Sequence, residues 1–519
     1  MDRDKEINIQ KMVEARRAES AKAIDPPEPE KELASTFIRE CLDANELGDG
    51  LIYAQLHDGQ LIYNKSAAEW LAWAGHHWDR DIMEKALASA EFVAGEYLKE
   101  ARRLVDQIGS LNGTNKDLVK SLESKQKQIY KRVFRIRTEA GRSNCLKFAR
   151  TNPEHQLAAK GDEFDQNPFL LGCENGVIDL KNGELRPGRP DDFVLKASPV
   201  EWKGIDEPAP AWETALKEIF QDDQNLIEYV GRLFGYALTG MTTENILPIF
   251  WGQGRNGKTT IIETVSAVLG PLAAPIQSEM LLDQGRAKSS AGPSPDIMSL
   301  RGLRMAIAAE TDQGRRFSTS KVKWLSGSDT LTGRYPHDKH PTEFNPTHTL
   351  FLLTNNKPAA PAHDFAFWER VHLVPFNLSF VERQPQAENE RPADKNLKFK
   401  LTEEKFGILA WLVRGCLAWQ EKGLNPPAIV REATQEYQRD EDLLADFIEE
   451  CCYVDKKAEA TAKNLYDRFS EWWEENISKR VPSQRKFGLL MTAKNFEKKK
   501  SPNFVYFGIG LISSFEQKI

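Results

Sequence analysis

The sequence predicts a multidomain α/β protein. Its core is a phosphate-loop unit set between a mixed α+β N-terminal region and a helix-rich, basic tail. Three observations predict this. At 519 residues and 58.9 kDa the chain exceeds one ordinary domain and suggests about three. Apolar residues at 40% and charged residues at 28% describe a globular chain that is neither disordered nor membranous. Between residues 245 and 380, apolar strand-like runs repeatedly end in polar or glycine-rich turns, the alternation expected of an α/β sheet.

The elements follow in order. Residues 1–38 are charged, carry Pro26, Pro27 and Pro29, and read as a flexible segment. Residues 39–205 read as an α+β region. Within it, 45–80 is expected to be a small β element with Trp70, Trp73 and Trp78, 82–150 has helical spacing, and 169–196 alternates around Asn-Gly turns as hairpins do. Residues 206–240 form a helical collar, 241–385 the core, 386–436 a helical extension, and 437–519 a tail of three amphipathic helices and a hairpin. His76 and His77 have no carboxylate or thiol at ligand spacing and read as structural.

Composition excludes several classes. No run of 18 apolar residues exists to span a bilayer, and the N-terminus, charged from residue 2, is no secretory signal. The six cysteines form no CxxC pair, so reduced, mostly buried thiols and no structural zinc are expected. A net charge of -7 rules out a uniformly basic coat. The charge is uneven, however: residues 99–150 hold fourteen Lys or Arg against five acids, and 479–500 hold eight against Glu497. Either patch alone reads as a solvated helix face, but together they lean toward a polyanionic partner.

The chemistry sits in Gly252-Gln253-Gly254-Arg255-Asn256-Gly257-Lys258-Thr259, a full match to the GxxxxGK[ST] phosphate loop. It follows the apolar run ILPIFWG and opens a helix that closes at Gly270. Glycines let backbone N–H groups turn toward phosphates, and the helix N-terminus adds its positive end. Lys258 supplies a point charge for the β- and γ-phosphates, Thr259 a hydroxyl for Mg²⁺, and Thr260 extends the nucleotide contacts. The run Met305–Ala309 delivers Glu310 and Asp312, carboxylates able to orient Mg²⁺ or the attacking water, with the division of labour between them open. HTLFLLTNN ends in Thr354-Asn355-Asn356, where Asn355 offers an uncharged group that can hold a phosphate or the water, and Arg370 precedes the next strand.

In order, these motifs together with KWLSGSDTLTGRYPHDKHPTEFNP (323–346) resemble the superfamily 3 helicases of phage, plasmid and poxvirus replication. The resemblance implies an AAA+-like P-loop core, a C-terminal winged helix, ATP and Mg²⁺ as ligands (Mg²⁺ on Thr259 and Glu310), and a ring, expected to be hexameric. It gives Glu310 the water, Asn355 the phosphate, and Arg370 the role of a finger completing a neighbour's site. It assigns Lys339 and His340 to a hairpin tip that touches DNA in the central channel. Arg485, Lys486 and Lys494 on the third tail helix, followed by Lys498, Lys499 and Lys500, fall where a helix-turn-helix relative meets DNA. The region similar to the family's pre-ATPase domain begins near residue 40, so a helicase without its own primase is expected, with single-stranded or forked DNA, and a separate primase or other replication proteins, as partners. The phage and plasmid side of the family suggests the cytoplasm of a bacterial host. The alternative is a replication initiator or packaging ATPase that switches with nucleotide and does not unwind processively. A small-molecule P-loop kinase is disfavoured by the two basic patches.

Overall fold

The computed structural model describes residues 33–111, 115–152, 157–285, 293–309, 315–336, 341–477, 481–494, 496–501 and 503–512. They fall into two compact units, the first reaching residue 205 and including 269–272, the second comprising 206–268 and the described residues from 273 onward.

In the first unit, helices α1 (Ser35–Asp43), α2 (Glu46–His57), α3 (Ala90–Ser110), α4 (Lys116–Ile136) and α5 (Glu139–Ala149) enclose a core that includes Ile38, Ile52, Tyr97, Leu104 and Ile129. Helix α1 begins inside the segment expected to be a flexible lead. Residues 46–57, expected in a β element, are helical. The two glycines that argue against a helix there have a packing reason. A Cβ on Gly48 would lie 1.9 Å from the Cys41 carbonyl oxygen, and one on Gly50 would lie 2.6–2.7 Å from Phe148 and Ala149. Glycine lets α2 approach its neighbours this closely, at a cost in propensity of about 1 kcal/mol each.

Strands β1 (Leu61–Asn64), β2 (Glu69–Trp73), β3 (Trp78–Arg80) and β4 (Ala158–Ala159) form one sheet in the order β3-β2-β1-β4. A second sheet, β7-β6-β5-β8, is built from β5 (Leu170–Cys173), β6 (Gly176–Asp179), β7 (Glu184–Arg186) and β8 (Ala197–Ser198), with its hairpins at the Asn-Gly positions.

The basic patch of this unit is partly neutralised. Lys99, Arg103, Lys125, Arg132, Arg135, Arg137 and Arg142 each pair with an acid on α1, α2 or α3. One pair is deeply buried: Arg132 and the Tyr97 hydroxyl both donate to Asp49, at 3.4 and 3.0 Å. Burial pushes the Asp49 carboxyl up to about 6 despite those partners.

The second unit opens with helices α6 (Pro210–Ile219) and α7 (Gln224–Leu238). Its centre is a five-stranded sheet of β9 (Leu247–Trp251), β10 (Ala273–Ile276), β11 (Met305–Ala309), β14 (Thr349–Thr354) and β15 (Val371–Pro375). The order is β10-β11-β14-β9-β15, and every pair is parallel. Covered on both faces, such strands read as unbroken apolar runs, and β14 (TLFLLT) is buried at all six positions. Helix α8 (Lys258–Leu269) follows β9, and a short antiparallel pair, β12 (Leu331–Gly333) with β13 (Thr342–Phe344), lies between β11 and β14 in sequence. Strands β16 (Ser379–Val381) and β17 (Glu390–Pro392) pair in parallel beyond the sheet. Helices α9 (Lys405–Lys422) and α10 (Ala428–Asp440) lead to the tail.

The tail runs α11 (Leu443–Cys451), β18 (Cys452–Thr461), α12 (Ala462–Asn476), α13 (Gln484–Ala493), β19 (Lys498–Ser501) and β20 (Asn503–Leu511), with an antiparallel sheet ordered β18-β20-β19. Its core gathers Phe447, Leu465, Phe469, Trp472, Phe487 and Tyr506. Strand β18 was not expected. It buries only Cys452 and Ala458 and its register shifts between Val454 and Glu459, so no alternating pattern marks it. All six cysteines are free and buried. Among the described residues, no helix is long and apolar enough to cross a membrane.

Candidate functional site

The carboxyl end of β9 turns sharply at the glycine loop. Gly257 has φ +89°, and a Cβ there would meet Ile219 Cδ1 of α6 at 2.6 Å. At Gly252 a Cβ would meet the Phe376 carbonyl oxygen at 2.2 Å. Both glycines are therefore required sterically, and Arg255, at φ +62°, takes a left-handed conformation that costs a non-glycine residue about 1 kcal/mol or more. The loop is pinned from outside. Phe380 N–H donates to the Arg255 carbonyl at 2.7 Å, the buried Asn256 amide donates to the Phe376 carbonyl at 3.4 Å, and Gly252 N–H donates to the Thr354 carbonyl at 3.4 Å. Among the described residues, none accepts a hydrogen bond from the backbone N–H groups of Gln253, Gly254, Arg255, Asn256 or Gly257. The loop is held open by its neighbours, and these N–H groups are available to donate to an anion.

Lys258 begins α8 and is 6% exposed. Its Nζ donates to the Gly252 carbonyl at 2.6 Å and to Asn355 Oδ1 at 3.0 Å. Burial without a carboxylate partner pushes its ammonium down to about 8. An anionic ligand would reverse that shift. Thr259 is exposed beside it and Thr260 is half-buried.

Asn355 directly follows β14, whose Thr354 lies opposite Trp251 of β9. Lys258 and Asn355 are thus brought together by neighbouring strand ends. The segment after Asn355 is fastened elsewhere. The Lys357 ammonium lies 4.8 Å from the Trp251 ring centroid, 5.1 Å from that of Tyr437, and 3.1 Å from Asp440 Oδ2. The Tyr437 hydroxyl donates to the Pro358 carbonyl, and Ala360 N–H donates to Glu441 at 2.9 Å. Burial raises the Glu441 carboxyl above its ordinary value. None of Lys357, Tyr437, Asp440 and Glu441 was singled out from sequence. The only signal was a lysine two positions beyond Asn355.

Arg370 is at the other end of the sheet. Its carbonyl accepts from Leu247 N–H at 2.6 Å, and Val371 lies opposite Leu247, the first residue of β9. Gly252 comes five residues later, about 16 Å along the strand. The Arg370 guanidinium donates to the Ala366 carbonyl of its own turn, while its Nε is buried with no partner among the described residues.

Glu310 and Asp312 lie outside the described residues. Strand β11, which leads to them, ends with Ala309 opposite Leu353, one residue before Thr354. Lys339 and His340 also lie outside the described residues, between β12 and β13, whose ends Gly333 and Thr342 pair.

In the tail, Arg485 and Lys486 are exposed in the first turn of α13, and Lys498, Lys499 and Lys500 are exposed along β19. Lys498 and Lys500 sit 4.6 and 5.9 Å from the ring centroid of the half-exposed Phe504, whereas Lys499 pairs with Glu497 at 3.1 Å. Lys494, a basic residue of the same expected DNA-binding helix, is instead tied to Asp442 at the start of α11.

Comparison with known proteins adds two family matches. The D5 N terminal-like family matches residues 50–221, and the poxvirus D5 protein-like family matches residues 439–516. A protein of Acanthamoeba polyphaga mimivirus named "Putative helicase L207/L206" is 30% identical over 336 residues, 62% of this chain and 35% of that protein. A protein of African swine fever virus named "Putative primase C962R" is 24% identical over 335 residues, 61% of this chain and 34% of that protein. The chain spans about a third of the length of these relatives. The apo structure of the NrS-1 C-terminal region aligns with 71% of this chain and 89% of that one, at 10% identity and a TM-score of 0.39, too low to carry an argument. The expected bacterial host finds no support among the relatives, which come from viruses of eukaryotes. Over residues 50–221 and 439–516 the chain is thus similar to the two D5-type families, and over about three fifths of its length to helicase- and primase-named proteins of large DNA viruses.

Proposed function

We propose that the protein is the motor portion of a DNA replication helicase, an ATP hydrolase that assembles as a ring, expected to be a hexamer, and translocates on DNA. The observation that carries this reading is the buried Lys258, poised between the loop carbonyl of Gly252 and Asn355 at adjoining strand ends. The unspent N–H groups from Gln253 to Gly257 fit the phosphates of ATP. Thr259 and Glu310 are the residues that would hold Mg²⁺, whose charge would neutralise the phosphates. Lys258 gives up its two internal acceptors for phosphate oxygens, and Asn355, released, is free to hold the γ-phosphate or the attacking water. Glu310, two positions before Asp312 in sequence, orients that water by accepting a hydrogen bond from it. Arg370, too far from its own loop, serves the nucleotide of the adjoining subunit. Lys339 and His340 couple the cycle to DNA. The tail, whose helix-strand-helix-helix-strand-strand order suits a winged helix, meets the duplex through Arg485, Lys486 and Lys498–Lys500.

Single-stranded DNA should stimulate ATP hydrolysis by the purified protein, and Lys258→Ala should abolish hydrolysis without altering the melting temperature by more than about 2 °C. Near-normal turnover by that variant would refute the loop assignment. The second reading, an initiator that hydrolyses ATP without unwinding, is favoured by the basic, winged-helix-like tail. It predicts duplex binding and hydrolysis with no strand released from a forked substrate.

A further inference from the structure

Helix α4 of the first unit presents a face that the motor chemistry does not use. Its inner side buries Leu122, Ile129, Val133 and Ile136. At about 100° per residue, Lys116, Lys120, Lys127, Lys131 and Phe134 fall within about 40° of one line along its outer side, with Tyr130 just beside them. Phe134 is 78% exposed and Tyr130 50%. The basic residues of this region divide by position. Lys125, Arg132, Arg135 and Arg137 are paired with acids of other helices, whereas Lys116, Lys120, Lys127 and Lys131 form no ion pair among the described residues. The unpaired four are the ones on the outer line, with Glu123 the single acid among them. A merely solvated face accounts for the lysines but gives no reason to place a phenylalanine and a tyrosine one turn apart in water.

We propose that this face is a track for single-stranded nucleic acid, with the lysines on phosphates and the Tyr130 and Phe134 rings on base faces. The line is about 27 Å long and carries net positive charge, which a polyanion complements. Two rings flanked by lysines are too little apolar surface for a stable subunit contact, which needs about 800 Å² on each side, and a second positive copy would be repelled. Ring stacking selects unpaired bases, because a duplex keeps its base faces covered. The inference rests on the proposed function only in taking DNA as the polyanion.

The test uses the full chain, a bromodeoxyuridine oligonucleotide for photocrosslinking with peptide mass spectrometry, and a fluorescein-labelled oligothymidylate for anisotropy across a salt series. Crosslinks are expected on the peptide holding Tyr130 and Phe134. Tyr130→Ala with Phe134→Ala should weaken binding about tenfold or more without changing the salt slope, and Lys127→Gln with Lys131→Gln should flatten that slope by about 1.4 units. Basal ATP hydrolysis should be unchanged in both variants. No crosslink in that peptide, or wild-type affinity in both variants, overturns the proposal. So does a fall in assembly mass with affinity unchanged, which marks a subunit contact instead. Crosslinking by a protein that hydrolyses no ATP would leave the track standing and remove the motor.

Discussion

Replacing Arg370 by alanine separates two roles that one arginine can play. If it acts on the nucleotide of its own chain, it must reach the loop. The structure puts the start of β15 opposite Leu247, about 16 Å from Gly252, well beyond the reach of an arginine side chain, and its guanidinium turns back to Ala366. The structural loss is small. One bond to a carbonyl on an exposed turn is worth about 1 kcal/mol, which a urea melt would register. The catalytic loss is not small: a finger contributes about 10³-fold or more to turnover. Arg370→Ala should therefore bind a fluorescent ATP analogue normally and hydrolyse ATP at least about 10³-fold more slowly. Mixing it with Lys258→Ala protein is the decisive assay. In an equal mixture about a quarter of interfaces join an intact loop to an intact finger, so activity should return to a measurable fraction of wild type although neither protein is active alone. If subunits exchange, shown by energy transfer between labelled rings, and no activity returns, Arg370 does not act between subunits. Normal hydrolysis by Arg370→Ala alone would refute any catalytic role.

Gly257→Ala should cost about 2 kcal/mol from its left-handed φ and its contact with Ile219, and adding Ile219→Val, which removes the offending Cδ1, should recover part of that loss in chemical melts. Strictly additive costs would mean the contact is not the cause. Burial holds the imidazoles of His348 and His372 down to about 4. The unfolded chain takes up their protons near pH 6.5, so stability is complete above that value and falls as pH drops toward 4, by about 3 kcal/mol for each. Melts of the wild type and of His348→Asn between pH 7 and 4.5 should show the variant losing part of that slope, and identical slopes would refute the assignment. On duplex DNA, Lys498→Gln and Lys500→Gln should each lower the salt slope by about one unit, whereas Lys499→Gln, already paired with Glu497, should lower it less. Equal effects of all three would show that the ion pair does not persist in the complex.

Much of the second unit was legible because burial on both faces writes parallel strands as unbroken apolar runs, and because the tight turn after β9 leaves no room for a Cβ at Gly252 and Gly257. The approach of Asn355 to Lys258 came only from the fold, which sets the ends of β14 and β9 side by side. What escaped depends on partners distant in sequence. The basic run of residues 99–150 appeared as free charge because most of the acids that neutralise half of it, Asp43, Glu46, Asp49 and Glu91, stand before residue 99 in the sequence. Lys494 looked available for DNA until the fold set it against Asp442. Helix α2 was obscured by two glycines whose purpose is contact, and β18 by a register shift that erases its alternation.

The fastening of residues 357–360 to the end of α10 has a mechanical consequence. Asn355 is two residues from Lys357, too short a tether to absorb a displacement by itself. A change of grip at Asn355 must therefore either break the Lys357 ammonium from Trp251, Tyr437 and Asp440 or drag the end of α10 with it. That end continues through Glu441 into Asp442, which caps α11 and holds Lys494. Lys357→Met keeps a long apolar stem against both rings but removes the ammonium from them and from Asp440. If the strap transmits force, this substitution should leave nucleotide affinity alone while making hydrogen exchange across α11 indifferent to whether ATP or ADP is bound.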